Sequence, residues 1–315
     1  MIKDDGFAYV VAAAIKHPVC YNSSMDFSQI TPADLFAVLS AAVILGCVIA
    51  FLFVLPKVRR MLPGLLQYRH LLSTMVVRDI KVKYRRSVLG ILWSILNPLM
   101  MMIILTIVFS TIFRFNIENF PVYYIVGSTM YSFVTGSTTS GMNSVLNNAE
   151  LIKKVYIPKY IFPLQKVLFS LVNLAFSLIA VAIVYAILQM PLHPTIPLLV
   201  IPVFYATVFS FGLSLVLSAA VVYFRDIAHL YGVLTMAWMY LTPIFYPFVL
   251  LPEIAQTVLQ FNPLLHFVNY AREVMMYGSV PGLYENLYCM AFAIVTLVIG
   301  LLFFRRAQDN FILNI

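Results

Sequence analysis

The 315 residues are 62% hydrophobic and only 10% charged, with 20 Lys and Arg against 12 Asp and Glu and a formal charge of +8. A soluble domain carries about 25% charged residues, so the composition excludes a soluble enzyme or binding module and indicates a polytopic membrane protein. All Lys and Arg except Lys3, Lys16, Arg114 and Arg272 fall in segments that the apolar runs and their flanking charges place in the cytoplasm, so the basic excess is a topology signal, not a nucleic-acid footprint.

Residues 1–33 contain a short apolar patch at 7–15, too short to span a bilayer and without a following signal-peptide cleavage site. Thr31 and Pro32 read as the cap and first position of a helix. Residues 35–55 are uncharged, apolar and long enough to cross a membrane. Asp26 and Asp34 precede this run, and Lys57, Arg59 and Arg60 follow it. The positive-inside rule therefore places the N-terminus outside and Lys57 inside. Residues 1–63 form an N-terminal extension with one span, closed by the helix-breaking pair Pro63-Gly64. Cys20, Cys47 and Cys289 have no spacing that predicts a disulfide framework or a zinc site.

The stretch RDIKVKYRRSVLGILWSILNPL, residues 78–99, organises the rest of the chain. Arg69, Arg78, Lys81, Lys83, Arg85 and Arg86 accumulate ahead of an apolar run that starts near Val88. On a helix Arg78, Lys81 and Arg85 share one face, while Leu71, Leu72, Met75, Val76 and Val82 cluster on another. Asp79 and Arg86 interrupt the apolar side, so the amphipathicity is moderate. The segment 64–89 reads as a helix lying on the anionic cytoplasmic surface and turning into a span; a plain positive-inside anchor is the alternative. Further spans are expected at 90–113, 121–146, 162–189, 197–224, 227–250 and 287–304, which puts the C-terminus in the cytoplasm. The outer segment 246–285 is apolar, but Pro247, Pro252, Pro263 and Pro281 cut it into pieces too short to cross. It reads as re-entrant or interfacial helices, with Arg272 and Glu273 placed to pair locally.

No lysine follows a glycine, so a phosphate-binding loop is absent, as are H-E-x-x-H and G-x-S-x-G, and no metal site is expected. The middles of the spans carry no Asp, Glu, Lys, Arg or His, which weakens a proton- or sodium-coupled carrier. In the span 121–146, Tyr124, Ser128, Tyr131, Ser132, Thr135, Thr139 and Asn143 fall along one helical stripe. Such a stripe is either a packing face or the wall of a path for a sugar chain. The loop 147–162 reads as a short helix at 149–155 offering Glu150, Leu151, Lys153, Lys154 and Tyr156, or as a solvated connector. The hairpin 223–227 presents Arg225 and Asp226, with His229 beside it, as helix caps or as a partner contact.

Five ordered blocks resemble one family: RDIKVKYRRSVLGILWSILNPL, ELIKKVYIPKYIFPL, YFRDIAHL, TPIFYP and FNPL. They are similar to the permease subunit of bacterial polysaccharide, O-antigen and teichoic-acid exporters, the type-2 ATP-binding-cassette export family, over residues 64–315. The resemblance implies an all-α permease of six spans with an amphipathic interfacial helix and re-entrant exterior helices. It also implies a homodimer bound to two cytoplasmic ATPases, with a lipid-linked glycan or polyol-phosphate polymer as cargo. The chain itself would bind no cofactor, since ATP and magnesium are used by the partner ATPase. By the same resemblance, Arg69, Arg78, Asp79, Lys81, Arg85 and Arg86 lie on an interfacial gate helix, and 150–157 is a coupling helix. Tyr124 and Tyr131 take the place of channel aromatics. The span at 35–55 departs from the pattern. An exporter of a drug or small lipid is the alternative within transport. A membrane-embedded glycan-lipid transferase is the other, with Asp226, His229, His266 and Glu273 as its only charged candidates.

Overall fold

The computed structural model describes residues 67–85, 87, 89–109, 117 and 119–311, which form helices and connecting turns with no β-strand among them. The expected span at 35–55 and Arg86 lie outside the described residues. Helix α1 is Arg69–Tyr84. A turn of 3-10 helix, Gly90–Leu92, leads into α2, Trp93–Val108. There follow α3, Phe120–Met142, the short α4, Ala149–Lys154, and α5, Ile161–Ile187. Helix α6 is Val200–Tyr223 and α7 is Ile227–Tyr240. After two short pieces, one of them α8, Glu253–Leu259, come α9, Pro263–Arg272, and α10, Leu283–Ala307.

Among the described residues, four helical runs are long and apolar enough to cross a bilayer: Gly90–Val108, Ile161–Ile187, Ile196–Tyr223 and Leu283–Ala307. The 23 residues of α3 reach about 34 Å at 1.5 Å per residue, but its hydroxyls and glycines make it less apolar. Helix α7 departs most from expectation. The apolar run predicts a span from 227 to 250, whereas the helix stops at Tyr240 after 14 residues, about 21 Å. Pro243 is the reason: it has no N–H to donate, and its ring disfavours helical backbone at Thr242.

Beyond that break, lipid could satisfy none of the freed carbonyls, so protein must. Arg272 does most of this. It is 2% exposed and donates to Tyr123 O at 3.2 and 3.1 Å, to Pro243 O at 2.8 Å and to Ile244 O at 3.4 Å. Its guanidinium lies 3.4 Å from the centroid of the Tyr123 ring. Asn262 donates to Leu241 O at 3.1 Å, and Tyr123 OH donates to Tyr246 O at 3.0 Å. The expected local pair of Arg272 with Glu273 does not form; the guanidinium turns inward because the broken backbone supplies more acceptors there. Helix α9 is buried along Leu264, Phe267, Val268 and Ala271 and continues as a π-helix, Glu273–Tyr277, to Gly278 at φ 63°.

Helices α6 and α10 meet at a two-glycine seam. A Cβ on Gly300 would stand 2.3 Å from Gly212 O, and one on Gly212 would stand 2.5 Å from the Leu297 backbone nitrogen. Small residues let membrane helices approach this closely, where dispersion rather than the hydrophobic effect holds them. At the basic end of the bundle, Phe311 is fully buried with Met75, Ile152, Phe162, Val222 and Phe304. That cluster ties α1, α4 and the end of α10 together.

Candidate functional site

Most of α3 is enclosed by its neighbours, but Ser132, Gly136 and Thr139 are exposed, and Ser128, Thr135 and Asn143 border them. Positions near four apart stack along one side of a helix, so these residues make a continuous, uncharged strip. Ser128 and Thr135 hold their hydroxyls against their own helix, donating to Ile125 O at 3.2 Å and Tyr131 O at 2.9 Å. Tyr124 and Tyr131, expected on the same stripe, are buried. The Tyr124 ring stacks on Phe120 and Phe245 at 6.4 and 5.8 Å. Tyr131 reaches across to α7 and donates to Thr235 O, while Thr138 shares a 2.6 Å hydrogen bond with Tyr231. The stripe therefore divides into an open hydroxyl strip and a tyrosine edge that fastens α3 to its neighbours.

Helix α1 runs against α5. Lys166 Nζ donates to Asp79 Oδ2 at 2.5 Å, Gln165 donates to the same oxygen at 2.9 Å, and Arg78 donates to Asp79 Oδ1 at 3.2 Å. Four residues further along α1, Lys83 Nζ donates to Asn173 Oδ1 at 2.9 Å. Of the expected apolar cluster, Leu72 and Met75 are buried, but Val82 is 66% exposed. The reason is that the ion pair and Lys83, not Val82, set how α1 is rotated about its axis. Sequence reasoning named Asp79 but missed Lys166 as its partner and missed Asn173 altogether. The one available signal was an asparagine inside an otherwise apolar span.

Burial pushes the Asp79 carboxyl up, but hydrogen bonds from Lys166 and Gln165, with the charge of Lys166, outweigh it and hold the group below the usual carboxylate range. A carboxylate depressed in the folded state stabilises it fully above its unfolded pKa, roughly 3.9, and loses that contribution as pH falls through the lower folded value. Asp79→Asn is thus expected to lower the melting temperature of the purified protein at pH 7 by about 2–4 °C. The difference from the parent should vanish well below about pH 4. An unchanged melting temperature at pH 7 would show that the ion pair contributes nothing to holding α1.

At the basic end, α4 turns Ile152 into the core and leaves Glu150, Lys153 and Lys154 exposed, with Leu151 partly covered. Val155 adopts extended backbone, so Tyr156 projects and is 95% exposed. Arg225, Asp226 and His229 are exposed beside Phe224 in the α6–α7 hairpin. Asp226 occupies the N-cap of α7, but its side chain makes no capping hydrogen bond. The loop is braced from behind: Lys159 donates to Gln308 O, and Tyr223 OH donates to Ala307 O at 2.8 Å.

The four charged candidates for catalysis do not converge. Asp226 and His229 lie at the basic end, whereas His266 and Glu273 belong to α9 and its continuation at the other. His266 is buried with Nδ1 at 2.8 Å from Glu285 Oε2 and Nε2 at 2.7 Å from Gln260 O. Among the described residues no three His, Cys, Asp or Glu side chains gather as a metal site.

A family model described as ABC-2 type transporter matches residues 70–276. The chain is 30% identical over 248 residues to the O-antigen export system permease protein RfbA of Klebsiella pneumoniae, covering 76% of this chain and 93% of that protein. It is 29% identical over 255 residues to a protein of the same description from Myxococcus xanthus, covering 80% of this chain and 98% of that one. The polysialic acid transport protein KpsM of Escherichia coli is 22% identical over 240 residues, 75% of this chain and 93% of its own length.

Proposed function

This chain belongs to the ABC-2 type transporter family, and from that premise we propose that it is the permease subunit of an ATP-driven exporter of a lipid-linked polysaccharide across the bacterial cytoplasmic membrane. The open hydroxyl strip of α3 carries the reading. A helix facing lipid gains nothing from bare Ser132, Gly136 and Thr139, and a helix packed on its own chain would cover them. Two copies that present this strip to each other enclose a path lined with hydroxyls and free of charge. Such a wall binds sugar rims weakly, and weak binding lets a long chain slide instead of arresting it.

In this reading the permease is a homodimer with six spans per copy, preceded by the extra span at 35–55, with the N-terminus outside and the C-terminus in the cytoplasm. Helix α1 lies at the cytoplasmic membrane surface, and α9 with its π-helical continuation lies at the outer side. Two ATPase subunits, which bind ATP and magnesium, dock on Glu150, Leu151, Lys153, Lys154 and Tyr156 and on the hairpin of Arg225, Asp226 and His229. The exposed Tyr156 is the natural anchor, since an aromatic in a partner's pocket dominates many interfaces.

Deleting the gene should remove polymer from the cell surface and accumulate it, still lipid-linked, on the inner side of the membrane. Normal surface polymer in the deletion strain would end the export reading. Reversing three charges together, Glu150→Lys with Lys153→Glu and Lys154→Glu, should reduce co-purified ATPase about tenfold or more. Parent levels of bound ATPase and of surface polymer in that variant would make the loop a mere connector.

A further inference from the structure

Helix α10 closes on Arg305 and Arg306, both exposed. A polar chain end beyond such a pair ordinarily frays unless something ties it down. Here a 3-10 turn, Gln308–Asn310, brings Phe311 into the core, where it is 0% exposed. Its ring meets that of Phe304 edge to face, with centroids 5.3 Å apart. Met75 of α1, Ile152 of α4 and Val222 of α6 belong to the same buried cluster.

The backs of both proposed docking loops converge on this end. Lys159 follows Tyr156 in the α4–α5 loop. Its ammonium donates to Gln308 O and stands 5.5 Å from the centroid of the Phe311 ring. Tyr223 is the last residue of α6, directly before the hairpin. Its hydroxyl donates to Ala307 O at 2.8 Å, and its ring meets Phe311 with centroids 6.4 Å apart at 65°. A helix C-terminus favours outside donors and a cation, so both groups suit their positions. Burial holds the Lys159 ammonium below its usual range, with the charge of Asp309 opposing the shift. A lysine that only marked the cytoplasmic side would stay in water.

We propose that Phe311 is the positioning residue that fixes the two docking loops as one surface, so that ATPase movement reaches α1 and α10 together. The inference rests on the docking reading and names what stands behind that surface. The α4 loop offers Glu150, Lys153, Lys154 and Tyr156 in front, and the hairpin offers Arg225, Asp226 and His229. An ATPase that closes on ATP presses on both. Two loops free to yield separately absorb that movement; two loops fixed to one buried post pass it to the helices behind them. Met75 extends the post to α1, and Phe304 extends it to α10. The ring itself is needed. An aliphatic side chain fills the space but offers no face to Lys159 and no edge to Tyr223.

Phe311→Leu keeps most of the apolar volume and removes the ring. Four quantities are measured: melting temperature, co-purified ATPase, ATP hydrolysis by the purified complex, and surface polymer per assembled complex. We expect a melting temperature within about 5 °C of the parent and parent amounts of bound ATPase. Hydrolysis should continue at close to the parent rate while surface polymer per complex falls about fivefold. Lys159→Met keeps the stem, removes the ammonium and should lower the same ratio about threefold. Lys159→Arg should restore it, because a guanidinium can donate to Gln308 O and lie over the ring. Parent export per assembled complex in the leucine and methionine variants overturns the proposal and leaves Phe311 as plain packing. A fall in hydrolysis equal to the fall in export also overturns it, since ATPase activation alone is then lost. Should the leucine variant fail to assemble, the two Lys159 variants decide by the same ratio. A parent permease that retains no ATPase defeats the docking reading itself; a coupled parent with indifferent variants defeats the relay alone.

Discussion

Arg272→Met should cut the amount of folded permease in the membrane to a small fraction of the parent level. The side chain supplies donors to Tyr123 O, Pro243 O and Ile244 O at once, and methionine supplies none. Each buried carbonyl left bare costs roughly 1–3 kcal/mol, and bonds from a charged donor are the stronger kind. Three such losses are a large part of the roughly 5–15 kcal/mol by which a domain is stable. Arg272→Lys should recover little, since one ammonium cannot fan out to three carbonyls as a planar guanidinium does. The check is size-exclusion chromatography of a fluorescent fusion from equal numbers of cells. A monodisperse peak of parent height for the methionine variant would show that the break after Tyr240 holds without its clamp.

A single methyl at Gly300 should be almost as damaging. Its Cβ would lie 2.3 Å from Gly212 O and 3.0 Å from Gly212 Cα, and these are main-chain atoms that no rotamer change can move aside. Overpacking usually costs about 1–3 kcal/mol, and contact with a rigid backbone belongs at the upper end. Gly300→Ala should therefore lower the melting temperature by about 6–10 °C, taking roughly 2–4 °C per kcal/mol for a protein of this size. Gly232→Ala is the matched control, because nothing stands within 4 Å of the Cβ it would add. Equal melting temperatures for the two variants would mean that α6 and α10 separate at little cost.

The helices were legible from apolar runs because a bilayer demands length and tolerates few charges, and five of the six runs expected after residue 89 coincide with long helices. The sixth, at 227–250, stops short for a reason that is also written in the sequence, at Pro243. What could not be read were partnerships between distant positions. Lys166 stands 87 residues from Asp79, and Asn173 stands 90 from Lys83. Arg272 was visible as a lone charge in an apolar segment, but its partners are backbone carbonyls, which leave no mark in residue type. The α3 stripe was found by period alone. Period cannot separate Ser132, which is open, from Tyr131, one residue and 100° away, whose ring reaches another helix.

The α6–α10 seam also governs how the molecule can move. Neither helix can slide along the other without driving backbone into backbone, which joins the two as one unit. Helix α7, by contrast, leaves most of one side bare. It is fastened through Tyr231, Thr235 and Trp238, all within two turns, while Leu230, Val233 and Met236 remain exposed. Its far end is held as well, by Asn262 on Leu241 O at 3.1 Å. One end of α7 meets the hairpin of Arg225 and Asp226, and the other leads to the carbonyls that Arg272 grips. The hairpin and the Arg272 clamp thus stand at opposite ends of one short helix.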